Sequence, residues 1–317
     1  MKNKNTRIVI VGAGNVGATT AFSIMNQGLC DELVLIDINH ERAYGEALDL
    51  QHAVSFVNRN VKIRAGEYSD CRDADIVVIT ACAPMDPNTH DRLKMLAASK
   101  RIMKSVVESI MENGFDGIIL VVSNPVDIMS YYAWKLSGLP HNQIIGSGTT
   151  LDTARMAGFV ADMFELDARS VELYMLGEHG DSSVTSWGSA SIGGKKFADV
   201  MKDNSSRAQD MTKEMLQEKT VKAGWDIFSR KGTTTYGVAA AVTGIVKSIM
   251  FDENRIYPVS VYLNGEYGLK DVYLSAPAII NRTGAKEIVE IKLEKEEQEA
   301  LERSSAVVKS YYQDLNL

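Results

Sequence analysis

A doubly wound, mostly parallel α/β sheet followed by a mixed α+β second domain is the fold this 317-residue chain predicts. Three observations carry that reading. Short β-type runs alternate with amphipathic helical patterns through the first half, the texture changes after residue 147, and a glycine-rich turn joins the first run to the first helix. In order, the runs are RIVIV (7–11), ELVLID (32–37), VKIRA (61–65), DIVVITA (75–81) and GIILVVS (117–123). Strands separated by helical stretches imply right-handed crossovers and hence parallel pairing. Beyond residue 147, a helical pattern covers 149–164, strands are expected near 171–176, and a long polar helical pattern covers 205–230. YPVSVYLNGEYG and DVYLSAPAII predict antiparallel strands flanking a turn, and EKEEQEALERSSAVVKSYYQ predicts a closing surface helix. Domains of 1–147 and 148–317 follow.

Composition narrows the function. With 45% hydrophobic and 24% charged residues and no long like-charge block, the chain is expected to be globular. A net charge of −7 without a basic cluster argues against nucleic acid or an anionic membrane as partner. The first residues hold only a short apolar run before Gly12, too short for a signal h-region or a membrane span, so a cytoplasmic location is expected. Cys30, Cys71 and Cys82 are scattered and odd in number, which suits reduced thiols; no metal spacing involves them.

The first chemical signal is VGAGNVG, where Gly12, Gly14 and Gly17 follow a strand run and open a helix. Gly12 permits the tight turn, Gly14 lets the backbone approach a pyrophosphate, and Gly17 allows close helix packing, with phosphates on the helix N-terminus. Asp37 ends the second β run, where a carboxylate accepts hydrogen bonds from ribose hydroxyls and repels a 2′-phosphate, so NAD is favoured over NADP. The competing reading is a structural turn with an unrelated aspartate.

Hydride exchange with a nicotinamide requires a proton partner titrating near neutrality. His179 in LGEHGDS, just past an apolar strand run, is placed for that role, against the common alternative of a structural histidine. His40, His52 and His141 lie in polar contexts where exposure is expected, and His90 sits in the segment ACAPMDPNTHDRL beside Arg92. In TTLDTAR, Asp152 and Arg155 are three apart on one helix face. They form either a surface ion pair or a working pair in which Asp152 holds the second nitrogen of His179 and Arg155 forks onto a substrate carboxylate. Arg92 is a further cation, able to polarise a carbonyl once its loop closes.

Taken end to end, VGAGNVG, LIDIN, VVSNPVDI, GSGTTLDTAR, GEHGDS and YLNGEYGLKDVYLSAPAIINR resemble the L-lactate and malate dehydrogenase family, nearest its bacterial L-lactate dehydrogenases. The resemblance implies a Rossmann-type NAD-binding domain and a catalytic domain, assembled as a homotetramer or homodimer. It implies His179 as acid and base, Asp152 as its partner, Arg155 on the carboxylate and Arg92 on the closing loop. Carried over with the motifs, Asn124 should bond substrate near the nicotinamide and Thr234 should face the substrate. Val16, Tyr68, Ala83, Ser105 and Ser147 match further cofactor-contact positions.

Met85 follows Ala83 and Pro84, where the family's side-chain reader is glutamine in lactate enzymes and arginine in malate enzymes. Without a cation there, a dicarboxylate leaves its distal charge poorly compensated at a cost of several kcal/mol, roughly, so malate is disfavoured. The loop is one residue longer than in typical lactate dehydrogenases, and Gly224 in AGW stands where alanine is common. Those features are similar to L-2-hydroxyisocaproate dehydrogenase and suggest pyruvate with tolerance for larger apolar 2-oxo acids; packing beside Trp225 is the alternative for Gly224. Ala157 stands where relatives activated by fructose-1,6-bisphosphate carry arginine, and VELYML lacks a histidine used at that site, so no such site is expected. A malate dehydrogenase and a non-catalytic NAD-binding protein are the remaining alternatives.

Overall fold

The computed structural model describes residues 5–83, 92–208 and 211–315. Strands β1 (Arg7–Val11), β2 (Glu32–Ile36), β3 (Lys62–Ala65), β4 (Ile76–Ile79), β5 (Ile118–Val121) and β6 (Ile144–Gly146) form a parallel sheet in the order β3-β2-β1-β4-β5-β6. Every residue of β2, β4 and β5 is buried. Continuous Val/Ile/Leu runs are what a parallel sheet covered on both faces requires. The covering helices in this half are α1 (Asn15–Gln27), α2 (His40–Ala53), α3 (Arg92–Glu112) and α4 (Val126–Ser137). From α1 the buried set is Gly17, Thr20, Ala21, Ile24 and Met25, spaced for one helical face.

The second half contains α5 (Thr150–Phe164), β7 (Val171–Glu172), β8 (Met175–Leu176), β9 (Val184–Thr185), β10 (Ser191–Ile192), β11 (Lys195–Lys196), α6 (Phe197–Asp203) and α7 (Ser205–Ala208). After these come α8 (Lys213–Lys231), α9 (Tyr236–Met250), β12 (Arg255–Leu263), β13 (Val272–Asn281), β14 (Gly284–Ile288) and α10 (Lys295–Ser310). The antiparallel pair expected from YPVSVYLNGEYG and DVYLSAPAII is β12–β13, registered from Arg255↔Ile280 to Leu263↔Val272. It does not form a separate sheet. Through Ser260↔Gly146, β12 pairs antiparallel with β6, so one nine-stranded sheet runs across residue 147.

Two details depart from the sequence reading. The polar pattern over 205–230 is divided into α7 and α8; Thr212 caps α8 by accepting the Met215 N–H at 3.2 Å. The strand near 171–176 is two short pieces, β7 pairing with β10 and β8 with β9. Helix α9, whose apolar composition hides its period, buries Val242, Ile245, Val246 and Ile249 and packs on α1. A large apolar core follows the nine-stranded sheet; a smaller one holds Met156, Val160, Phe164, Phe197 and Leu216. Cys30 and Cys71 are buried free thiols and Cys82 is an exposed one.

Candidate active site

The glycine turn sits where β1 meets α1. Gly12 has φ +108°, and a Cβ there would lie 2.6 Å from the Ala81 nitrogen. Its N–H donates to the Ile36 carbonyl at 2.7 Å, tying the turn to the end of β2. A Cβ on Gly17 would approach the Gly12 carbonyl oxygen to 1.8 Å, so α1 rests on the turn only because position 17 has no side chain. Gly14 differs: a Cβ there would meet nothing within 4 Å. As N-cap of α1 it offers no side chain to the helix's first N–H groups. Open space over an uncapped helix N-terminus is what a pyrophosphate fills.

Asp37 lies just past β2, its Oδ2 accepting the Ala13 N–H at 2.7 Å and its Oδ1 the Asn39 N–H at 2.9 Å. The carboxylate is thus held beside the turn. Half-buried Tyr68 neighbours it: burial raises the phenol's pKa, with the charges of Cys71 and Asp37 adding to the effect. Val16 is half-buried on α1, Ser105 is exposed on α3, and Ala83 ends the described segment after β4. The residues fit a dinucleotide.

At the carboxyl ends of β5 and β6, a cavity of about 310 Å³ is bordered by Asn124, Ser147, Asp152, Arg155, His179, Gly224 and Thr234. Ligands of open α/β sheets bind at this edge. The Asn124 carbonyl accepts the Ser99 hydroxyl at 2.8 Å. Asp152 occupies the first turn of α5 and Arg155 the next residue along that face. Asp152 serves both neighbours: its Oδ1 accepts Arg155 Nη1 at 3.1 Å while its Oδ2 is 2.5 Å from His179 Nδ1. Side-chain exposures of 10% for Asp152, 15% for Arg155 and 28% for His179 make this a recessed cluster rather than a surface ion pair.

The charge of Asp152, opposed by burial, raises the His179 pKa from 6.5 to about 9. Burial also works against the Asp152 carboxylate, but His179 and Arg155 prevail and its pKa is lowered. With Nδ1 bound to a carboxylate, Nε2 is the nitrogen left to exchange a proton in the cavity. Elsewhere, His40 lies 3.9 Å from Glu67 with both side chains exposed, His52 is exposed, and His141 faces the Tyr262 ring at 5.5 Å. His90 and Met85 lie outside the described residues. Arg92 opens α3, and its side chain also lies outside them.

The lining also has an apolar part that includes Leu151, Val221, Trp225, Phe228, Val238 and Ala241. Trp225 and Phe228 meet edge to face at 5.5 Å between ring centroids. A Cβ on Gly224 would stand 3.9 Å from Arg155 Nη1, so this α8 position borders the guanidinium. Of these six, the sequence reading named only Trp225, and only as a packing neighbour of Gly224, since apolar side chains in helices ordinarily signal core. Asp127 was missed as well. It is 2% exposed at the start of α4 and accepts the His179 N–H at 2.8 Å and the Ser260 hydroxyl at 2.6 Å. Its only sequence signal is an acid within the apolar setting of SNPVDIMSYY. Among the described residues, no group of histidines, cysteines and acids is arranged to hold a metal.

A glycine turn open over a helix N-terminus, and an imidazole held by a carboxylate beside a recessed guanidinium, are the arrangement expected of an NAD-dependent 2-hydroxyacid dehydrogenase. Comparison with known proteins agrees, residues 6–146 matching the lactate/malate dehydrogenase NAD-binding domain and residues 149–315 that family's alpha/beta C-terminal domain. The chain belongs to the lactate/malate dehydrogenase family. It is 47% identical over 311 residues to L-lactate dehydrogenase 3 of Bacillus thuringiensis subsp. konkukian, covering 98% of each chain. With L-lactate dehydrogenase 1 of Bifidobacterium longum it shares 46% identity over 313 residues, 99% of this chain and 98% of the relative. The ligands-bound crystal structure of minor L-lactate dehydrogenase from Enterococcus mundtii superposes with a TM-score of 0.94 at 39% identity, covering 98% of this chain and 99% of that one. MGS-M5, a lactate dehydrogenase from a Medee basin deep-sea metagenome library, gives the same TM-score at 42% identity over 99% of this chain and all of the other.

Proposed function

We propose that the chain interconverts pyruvate, or a closely related 2-oxo monoacid, and its L-2-hydroxy acid. The observation that carries this reading is the Arg155–Asp152–His179 cluster lining one cavity with an apolar set that includes Leu151, Val221, Trp225, Phe228 and Val238. When bound, NADH supplies the hydride. Gly12, Gly14, Val16, Gly17, Asp37, Tyr68, Ala83, Ser105, Asn124 and Ser147 hold the dinucleotide, with Asp37 on the adenosine ribose. Arg155 grips the substrate carboxylate, for which a planar fork is suited. Protonated His179 donates from Nε2 to the ketone oxygen during reduction, and neutral His179 takes that proton back during oxidation. Asp152 fixes the tautomer and stabilises the imidazolium. Arg92 polarises the carbonyl when its loop closes, while Asn124 and Thr234 orient the substrate.

Met85 and Gly224 set the side-chain preference. Among the described lining residues Arg155 is the one lysine or arginine, and it is committed to the shared carboxylate. A second carboxylate would thus find no further cation among them, which speaks against malate. The aromatic wall and the bare Gly224 favour a second reading, tolerance of larger apolar 2-oxo acids as in L-2-hydroxyisocaproate dehydrogenase. Assembly as a homotetramer in the cytoplasm belongs to the same proposal. No helix among the described residues is long and apolar enough to cross a membrane. Ala157 is 8% exposed and joins the smaller core, which supports the absence of a sugar-bisphosphate site there.

The test is kcat/KM with NADH for pyruvate, 2-oxobutyrate, 4-methyl-2-oxopentanoate and oxaloacetate. Pyruvate and the apolar acids should all exceed oxaloacetate. Preference for oxaloacetate overturns the proposal, and preference for 4-methyl-2-oxopentanoate selects the second reading. Addition of fructose-1,6-bisphosphate should leave the pyruvate saturation curve in place.

A further inference from the structure

The mechanism proposed above uses one carboxylate, yet a second is bonded to the backbone of the same histidine. Asp127 stands in the first turn of α4, 2% exposed, with both oxygens engaged. Oδ2 accepts the His179 N–H at 2.8 Å and Oδ1 the Ser260 hydroxyl from β12 at 2.6 Å. Next to it, the Glu178 N–H donates to Ser304 Oγ of α10 at 2.8 Å. The loop carrying His179 is therefore pinned at two consecutive N–H groups, one of them by a buried acid. A neutral acceptor would satisfy that N–H, so the site contains a charge its hydrogen bonding does not require.

We propose that Asp127 is a positioning residue for the dehydrogenase reaction, holding His179 through its backbone N–H and placing a second negative charge beside the imidazole. The inference rests on the reading of His179 as the proton donor. Facing His179 are Asp152 and Arg155 from α5 and Asp127 from α4, with Glu178 and Asp181 on its own loop. Around Asp127 lie His179 and Glu178 on the loop, the Ser260 hydroxyl, and the Tyr312 phenol. Burial raises the Asp127 pKa to about 6, against the pull of Ser260 and His179. Above that pH the carboxylate is charged and favours imidazolium, the form that donates during reduction. Below it, Ser260 can accept from the protonated acid, so the bonds survive while the bias fades.

Asp127→Asn separates the two roles, since an amide oxygen still accepts the His179 N–H and an amide N–H can donate to Ser260. Asp127→Ala removes both. The experiment is the pH profile of kcat/KM for pyruvate reduction with NADH, in the full-length wild type and both variants, with NADH affinity read by fluorescence. Asp127→Asn should remain active but lose activity with rising pH about half a pH unit earlier than wild type. Asp127→Ala should lose about ten- to a hundredfold at every pH, with NADH affinity kept within about twofold. An Asp127→Asn profile superimposing on wild type overturns the charge role even if Asp127→Ala does not fold; a fully active Asp127→Ala overturns the positioning role. Absence of pyruvate reduction in the wild type instead overturns the function on which both rest.

Discussion

Replacing Asp152 by Asn keeps an oxygen acceptor within reach of His179 Nδ1 and removes the charge. In the native site that charge is the first cause of a His179 pKa raised from 6.5 to about 9, a difference worth about 3 kcal/mol at 1.36 kcal/mol per pH unit. Without it, burial and Arg155 both oppose the imidazolium, and the value should return to about 6.5 or below. The sign follows from the role. Reduction needs the protonated ring, so wild-type kcat/KM for pyruvate should hold until pH rises through about 9, and oxidation of the hydroxy acid should gain over the same range. At pH 8 a group of pKa 9 is about nine-tenths protonated and one of pKa 6.5 about one-thirtieth, whereas at pH 6 the two are nearly alike. The reduction defect of Asp152→Asn should thus grow about twentyfold between pH 6 and pH 8, beyond any constant loss from poorer orientation. The assay is initial-rate kcat/KM at both pH values with saturating NADH. A defect of the same size at both refutes the electrostatic coupling. Stability obeys the same linkage: the raised His179 value contributes stabilisation present below about pH 6.5 and lost as pH rises through 9, while the lowered Asp152 value contributes stabilisation lost in acid.

Arg155→Lys keeps the charge but not the fork, and should raise KM for pyruvate by about ten- to a hundredfold with NADH affinity unchanged; an unaltered KM removes Arg155 from carboxylate recognition. Gly224→Ala places its Cβ at van der Waals distance, 3.9 Å, from Arg155 Nη1, so the variant should fold, α8 gaining up to about 1 kcal/mol. Its kcat/KM for 4-methyl-2-oxopentanoate should fall relative to pyruvate by about tenfold, and an unchanged ratio means the glycine does not make room for substrate. At the far edge of the sheet, Arg64 donates from Nε to Glu32 at 2.8 Å and from Nη2 to Asp70 at 2.6 Å, joining β3, β2 and the turn before β4. Arg64→Ala should cost about 1–3 kcal/mol in urea unfolding while leaving kcat/KM in place, and a midpoint equal to wild type would make the network energetically idle.

The parts legible in the sequence are those whose cause is local. Runs such as IVVI and IILV appear as strands because both faces are buried and nothing polar interrupts them. Elements beyond residue 147 are less legible. Two-residue strands such as β9 and β10 carry no period, and α9 is apolar almost all round, so only packing against α1 distinguishes helix from buried strand. In the site, Asp152 and Arg155 were visible as one helix face, but spacing could not say whether the acid serves the arginine or the histidine. It serves both, one oxygen each.

The glycine turn, the aspartate that follows β2 and the histidine, acid and arginine of the cluster are all readable along the chain alone. Those constraints are local: Gly12 takes a φ of +108°, a Cβ on Gly17 would meet the Gly12 carbonyl oxygen five residues back, and Asp37 follows directly from the strand that carries it. That β12 extends the sheet from β6, that Gly224 borders Arg155, and that Asp127 bonds His179 from 52 residues away emerge only in the folded chain. Contacts between elements so distant along the chain depend on how helices and strands settle on a shared core, and no spacing along one segment encodes that.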